Sequence, residues 1–143
     1  READRLARFR PPFAFGDFFA PEDTLLGVLA TEWALERATA ERAALGQGPP
    51  ERLIELTCGG GVIALAPLDR WPTLRTWGAD VDPAAVARAR ANARALGVRP
   101  RARFGTLGLF DARLPAFLRR LAPDVVACNP PYVPEPPGTP LAL

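Results

Sequence analysis

The sequence contains no histidine, lysine, serine or methionine, and only two cysteines, Cys58 and Cys128. Without histidine, serine and lysine there is no Ser-His hydrolase, Cys-His protease, Schiff-base lysine or P-loop lysine. Two cysteines and no histidine leave no structural zinc set and no disulfide framework, so the expected metal complement is none. No apolar run approaches the roughly 18 residues of a membrane span. The charged start, Arg1, Glu2, Asp4 and Arg5, has no apolar stretch behind it, so a signal peptide is not expected and a cytoplasmic location is. Any chemistry must come from carboxylates, Asn, Thr, Arg, backbone groups or an external cofactor.

The 143 residues suffice for one compact domain, and at 48% hydrophobic they can build a sizeable core. Net charge is +2, too small to argue for nucleic acid by itself. The densest basic stretch is Arg88, Arg90, Arg94, Arg99, Arg101 and Arg103. It reads either as a solvated face or as a patch facing phosphates.

The chain is expected to divide into an arm and helix (1–50), a core (51–134) and a proline-rich tail (135–143). In the arm, Phe9, Phe13, Phe15, Phe18 and Phe19 are expected to pack on the body. Proline and acids at residues 20–24 suit a helix start, and Leu25, Leu26, Leu29, Trp33 and Leu35 predict its buried face. Thereafter strands are predicted at 52–57, 74–80, 101–104 and 124–128. Helices are predicted at 59–65, 83–96 and 114–121, with Pro67 stopping the first and Gly97 closing the second. This alternation argues for an α/β fold with a parallel sheet flanked by helices.

Three segments carry chemistry. Glu55-Leu56-Thr57-Cys58-Gly59-Gly60-Gly61 ends a strand and opens a helix, where glycine lets backbone approach a ligand. Asp80 ends the next strand, 80 − 61 = 19 residues after Gly61. That matches an acid about 20 residues on that reaches ribose hydroxyls. Asp82-Pro83 reads instead as a helix cap. Asn129-Pro130-Pro131-Tyr132 follows the fourth strand. There an Asn amide and two carbonyls complement a planar amide or amino group, and Tyr132 supplies an aromatic plane. The bland alternatives are a loop connection at the glycines and a proline turn at Asn129.

Together Glu55 to Gly61, Asp80, Asn92 and Asn129 to Tyr132 resemble class I methyltransferases with an Asn-Pro-Pro-Tyr motif. Within these, the chain is most similar to the HemK-type glutamine methyltransferases of peptide release factors. The resemblance implies a Rossmann-like fold of which this sequence holds four of seven strands, leaving the fourth as an apolar edge, as expected of a fragment. It implies S-adenosyl-L-methionine as cofactor, with Glu55, Thr57, Cys58, Gly59 and Gly61 near its methionine part. Asp80 and Val81 would lie at its ribose end, Leu107 or Leu109 by the adenine, and Asn129 beside the methyl group. Asn129, Pro130, Pro131 and Tyr132 would hold the acceptor nitrogen, and a peptide release factor would be the partner. Thr57 stands where that family usually has glycine. No acid is evident after the third strand unless Asp111 serves. Cys58 and Cys128, at the ends of adjacent strands, are expected close together, reduced and buried.

Other readings are an amino-methyltransferase of adenine or cytosine in DNA or RNA, a degenerate module that binds cofactor without turnover, and a nicotinamide dehydrogenase. The last lacks a full Gly-x-Gly-x-x-Gly and leaves Asn129 to Tyr132 unexplained.

Overall fold

The computed structural model describes residues 21–130, with side chains from Asp23 onward. The phenylalanine-bearing arm, Pro131, Tyr132 and the tail lie outside the described residues. Helix α1 (Pro21–Ala44) precedes strand β1 (Arg52–Leu56). Next come α2 (Val62–Leu65), a 3-10 turn (Ala66–Asp69), β2 (Arg75–Asp80), α3 (Pro83–Ala95), β3 (Ala102–Thr106), α4 (Leu114–Leu121) and β4 (Val125–Cys128). Pro67 sits at the start of the 3-10 turn, so α2 tightens and stops there, because proline has no N–H to continue the helix. Gly97, at φ 68°, closes α3 in the left-handed conformation that glycine adopts without strain.

All strands are parallel, in the order β3-β2-β1-β4. The chain steps outward from β1 to β2 to β3, then returns to place β4 on the other side of β1. This is the Rossmann-like arrangement, with its switch point between β1 and β4, where ligands of open parallel sheets bind. β4 is an edge of this four-stranded sheet, and its Val126 is exposed.

The sheet divides the core in two. Leu53, Cys58, Val62, Val86, Ala89 and Phe104 pack with Val28 and Leu35 of α1 on one face. Ile54, Leu56, Ala79 and Leu114 pack on the other, beneath α4. Residues 53–56 of β1 are therefore buried on both faces, as suits a central parallel strand.

Of the face that its leucines and tryptophan predict, helix α1 buries Leu35 and leaves Leu26, Leu29 and Trp33 exposed. Val28, Thr31, Glu32 and Leu35 are buried, whereas Leu26 and Trp33 are 66% and 61% exposed. Two contacts select this face. Gly27 lets the helix approach Ile63 so closely that an added Cβ would lie 2.6 Å from Ile63 Cδ1. Arg70, just after the 3-10 turn, donates to Glu32 (2.9 Å) and Glu36 (2.8 Å) and so draws a carboxylate into the interface.

Asp124 joins three elements at the opposite end of the sheet. It accepts from Arg42 Nη1 at the end of α1 and from the amides of Glu51 and Arg52 at the start of β1, each at 2.9 Å. Its own amide donates to the Arg52 carbonyl. Asp124→Ala strands two backbone donors and an arginine, and is expected to cost about 2–3 kcal/mol in urea denaturation. Asp124→Asn, which keeps one acceptor, should cost less. Equal stability of all three proteins would refute this role.

Candidate functional site

β1 delivers the chain into a tight turn at residues 57–61. Thr57 lies at φ 54°, Gly59 at 49° and Gly61 at 74°. A β-branched residue in this left-handed region is strained, and Thr57 Oγ1 donates to the Leu56 carbonyl (2.6 Å). Threonine thus takes the backbone conformation that a glycine would supply. Gly61 has a second reason to lack a side chain, since a Cβ would lie 2.7 Å from the Phe104 ring and 3.1 Å from Ala89.

Two polar side chains, Asp80 and Asn92, hold the turn. Asp80, at the end of β2, accepts the Gly59 amide on Oδ2 (2.8 Å) and the Asp82 amide on Oδ1 (3.0 Å). Asp82 in turn accepts the Ala84 and Ala85 amides and caps α3, as its position before Pro83 predicts. Asn92, from the far end of α3, donates to the Gly60 carbonyl (2.9 Å). Val81, between the two acids, is exposed.

Glu55 lies beneath the turn, 3% exposed, and accepts the Ala64 amide of α2 (2.8 Å). Burial pushes its carboxyl up to about 8, helped by the negative charge of Asp80 and opposed by the amides of Ala64 and Ile63. The Cys58 thiol is also pushed up, chiefly by burial and then by Glu55 and Asp80, which keeps it protonated and unreactive. Its amide donates to the Ala79 carbonyl, binding the turn to β2.

Register brings the fourth strand to the same edge. Leu56 pairs with Cys128, so Asn129 follows at the level of Thr57. Thr57 Oγ1 and Cys128 Sγ are 3.9 Å apart. Both cysteines are free, and they do end neighbouring strands. Cys128 is exposed rather than buried, because it belongs to the sheet's edge strand. Asn129 is half-buried and Pro130 exposed.

After β3, the Leu107 amide donates to the Asp80 carbonyl (2.9 Å), while the Leu107 side chain packs toward the core beneath α4. Asp111 is occupied elsewhere: both its oxygens bond Arg113 (2.9 and 2.6 Å), which holds its carboxyl down at about 2. Phe110, which neither motif nor spacing singles out, is 77% exposed at the same carboxyl edge. Its only sequence signal is an aromatic inside a short glycine-bearing loop.

Among the described residues no cluster of three or more His, Cys, Asp or Glu is placed to hold a metal ion. No described helix is long and apolar enough to cross a membrane.

Comparison with known proteins agrees with this architecture. The release factor glutamine methyltransferase of Chlorobaculum tepidum is 35% identical over 128 residues, which are 86% of this chain and 42% of that protein. The tRNA1(Val) (adenine(37)-N6)-methyltransferase of Porphyromonas gingivalis is 31% identical over 106 residues, 74% of this chain and 39% of that protein. This chain therefore spans about two-fifths of the length of these curated relatives. Among solved structures, the N-terminal domain of human METTL16 in complex with SAH superposes with a TM-score of 0.64. It covers 87% of this chain and 47% of that one at 13% identity, a likeness of fold. Residues 42–136 match the family model of the methyltransferase small domain, which takes in the turn, both acids and the segment after β4. The chain belongs to the methyltransferase small domain family.

Proposed function

We propose that this chain is the cofactor-binding core of an S-adenosylmethionine-dependent N-methyltransferase whose acceptor is a glutamine side-chain amide in a peptide release factor. The observation that carries the reading is the position of Asn129-Pro130 at the sheet's switch point, one strand from the glycine turn. The 35% identity to a release factor glutamine methyltransferase supports the choice of acceptor.

The residues present fit a cationic nucleoside cofactor. Gly59 has open space where a side chain would stand, Asp80 ends β2 with a carboxylate able to accept from ribose hydroxyls, and Glu55 lies beneath the turn, where a nearby sulfonium or ammonium charge would favour its ionisation. When bound, the cofactor supplies a methyl group activated by its sulfonium, so the protein need only orient the acceptor and exclude water. An amide nitrogen is a poor nucleophile because its lone pair is delocalised. The Asn129 side-chain oxygen and the Pro130 carbonyl accept its two hydrogens, fix its plane and stabilise the positive charge that develops on it.

A second reading, methylation of an exocyclic amino nitrogen in RNA, draws on the 31% identity to a tRNA adenine methyltransferase. The same Asn129 and Pro130 acceptors suit that amino group. Transfer of labelled methyl from S-adenosylmethionine to a release-factor domain, run beside RNA, decides between them. Labelled protein and unlabelled RNA are expected; the converse overturns the glutamine assignment.

Asp80→Ala should weaken S-adenosylmethionine binding by about 1.5–3 kcal/mol, read by calorimetry. Asp82→Ala should chiefly lower stability, by about 1 kcal/mol, as removal of a helix cap does. The reverse pattern would exchange the roles of the two acids.

Glu55 makes binding pH-dependent. Its folded value of about 8 exceeds the ordinary 4.5, so the free protein holds that proton more tightly when folded. The resulting stabilisation is complete below about pH 4.5 and is lost as pH rises through 8. Glu55→Gln should flatten this decline between about pH 5 and 8. Cationic cofactor favours the ionised carboxyl, so wild-type affinity should rise across that interval while the Gln variant's stays level. A parallel slope in both proteins would contradict this.

Asn129→Ala should leave cofactor affinity nearly intact and lower kcat by about 10²–10³, the cost of removing one hydrogen bond that stabilises the transition state. Asn129→Asp, which keeps an acceptor, should be less impaired. Wild-type turnover by the Ala variant on protein and RNA alike would remove Asn129 from the chemistry.

A further inference from the structure

A groove of about 530 Å³ runs between α4 and the sheet, on the face opposite Gly61. Its floor follows from register. Trp77 pairs with Arg103 and Ala79 with Gly105, and side chains two apart on a strand share a face. Ala79 and Trp77 belong to the core beneath α4, which fixes that face as this one. Ala116, Phe117 and Arg120 of α4 form the wall. The volume falls within the roughly 300–1,000 Å³ typical of ligand sites.

The lining is a mixture of flat aromatic and cationic groups. Trp77 and Phe117 are only half-buried, and the Arg120 guanidinium lies 5.9 Å from the Phe117 ring centre. Arg113, at one end, is neutralised by Asp111. Arg103 and Arg120 form no ion pair among the described residues. Three other arginines of the basic stretch are committed to structure, and Arg94 and Arg99 are exposed away from the groove. Arg90 donates to the Phe104 carbonyl, Arg101 to the Leu68, Trp71 and Leu74 carbonyls, and Arg88 faces Asp82. Gly105 leaves the floor bare: a Cβ there would meet nothing within 4 Å.

Aromatic planes beside guanidinium groups match a strand of unstacked bases joined by phosphates. An acidic peptide would engage the arginines but make no use of the Trp77 plane. We propose that this groove binds single-stranded nucleic acid, with bases stacked on Trp77 and Phe117 and phosphates held by Arg103 and Arg120. The site is separate from the glycine turn, and the proposal holds whichever acceptor receives the methyl group.

Fluorescence anisotropy with a labelled oligouridylate, titrated against the whole chain at about 50–200 mM salt, tests this. Binding should weaken with salt. Arg103→Gln/Arg120→Gln should lower affinity about tenfold or more and reduce the log–log salt slope by about 1.4, or 0.7 for each single-strand phosphate no longer neutralised. Gly105→Leu, which fills the floor without touching a charge, should weaken binding by a similar factor. The charge-matched Arg94→Gln/Arg99→Gln, both exposed and outside the groove lining, should stay within about twofold of wild type. Circular dichroism checks that each variant is folded, and calorimetry with S-adenosylmethionine checks the turn independently. Three results would overturn the proposal: no binding at the lowest salt, equal weakening in the control pair, or displacement of the oligonucleotide by polyglutamate or S-adenosylmethionine.

Discussion

The hydrogen bond from the Gly59 amide to Asp80, spanning 21 residues of sequence, is the constraint on which the rest of the site depends. It fastens the carboxyl end of β1 to that of β2 where the backbone turns too sharply to satisfy its own donors. The other Asp80 oxygen holds the Asp82 amide, Asp82 starts α3, and Asn92 of α3 returns to the Gly60 carbonyl. Turn, acid, helix and turn again make a closed circuit. Asp80 therefore shapes the turn with both of its oxygens.

Much of this circuit is legible in the sequence because its signals are local. Glycine spacing, an acid at the next strand end, Asp82 before Pro83, Pro67 and Gly97 each act on their own few residues. Thr57 is visible as a departure, but its left-handed conformation is not. What the sequence conceals is tertiary. Of the apolar residues predicted to face inward from α1, Leu35 does and Leu26, Leu29 and Trp33 do not, because Gly27 and the Arg70–Glu32 pair decide which side meets α2. Charge count says nothing of whether an arginine meets water or carbonyls, and Arg101 turns out to bind three stretches of backbone. The α4 groove draws its lining from β2, β3 and α4, so no window of sequence displays it.

The sheet separates two sets of groups. On the α1–α3 face, Glu55 and Cys58 are buried under the turn, and their environment holds both protonated around neutral pH in the free chain. On the α4 face, aromatic rings and arginines remain open. The switch point between β1 and β4 sets Asn129 at the carboxyl edge that joins the faces.

A turn that holds S-adenosylmethionine, as we propose, must discriminate against other nucleotides whose sites share the glycine-and-acid pattern. Isothermal titration of the chain with S-adenosylmethionine and, separately, with NAD tests this most directly. Saturable one-to-one binding of S-adenosylmethionine is expected, with no heat of binding from NAD. Saturable NAD binding with none for S-adenosylmethionine would contradict it.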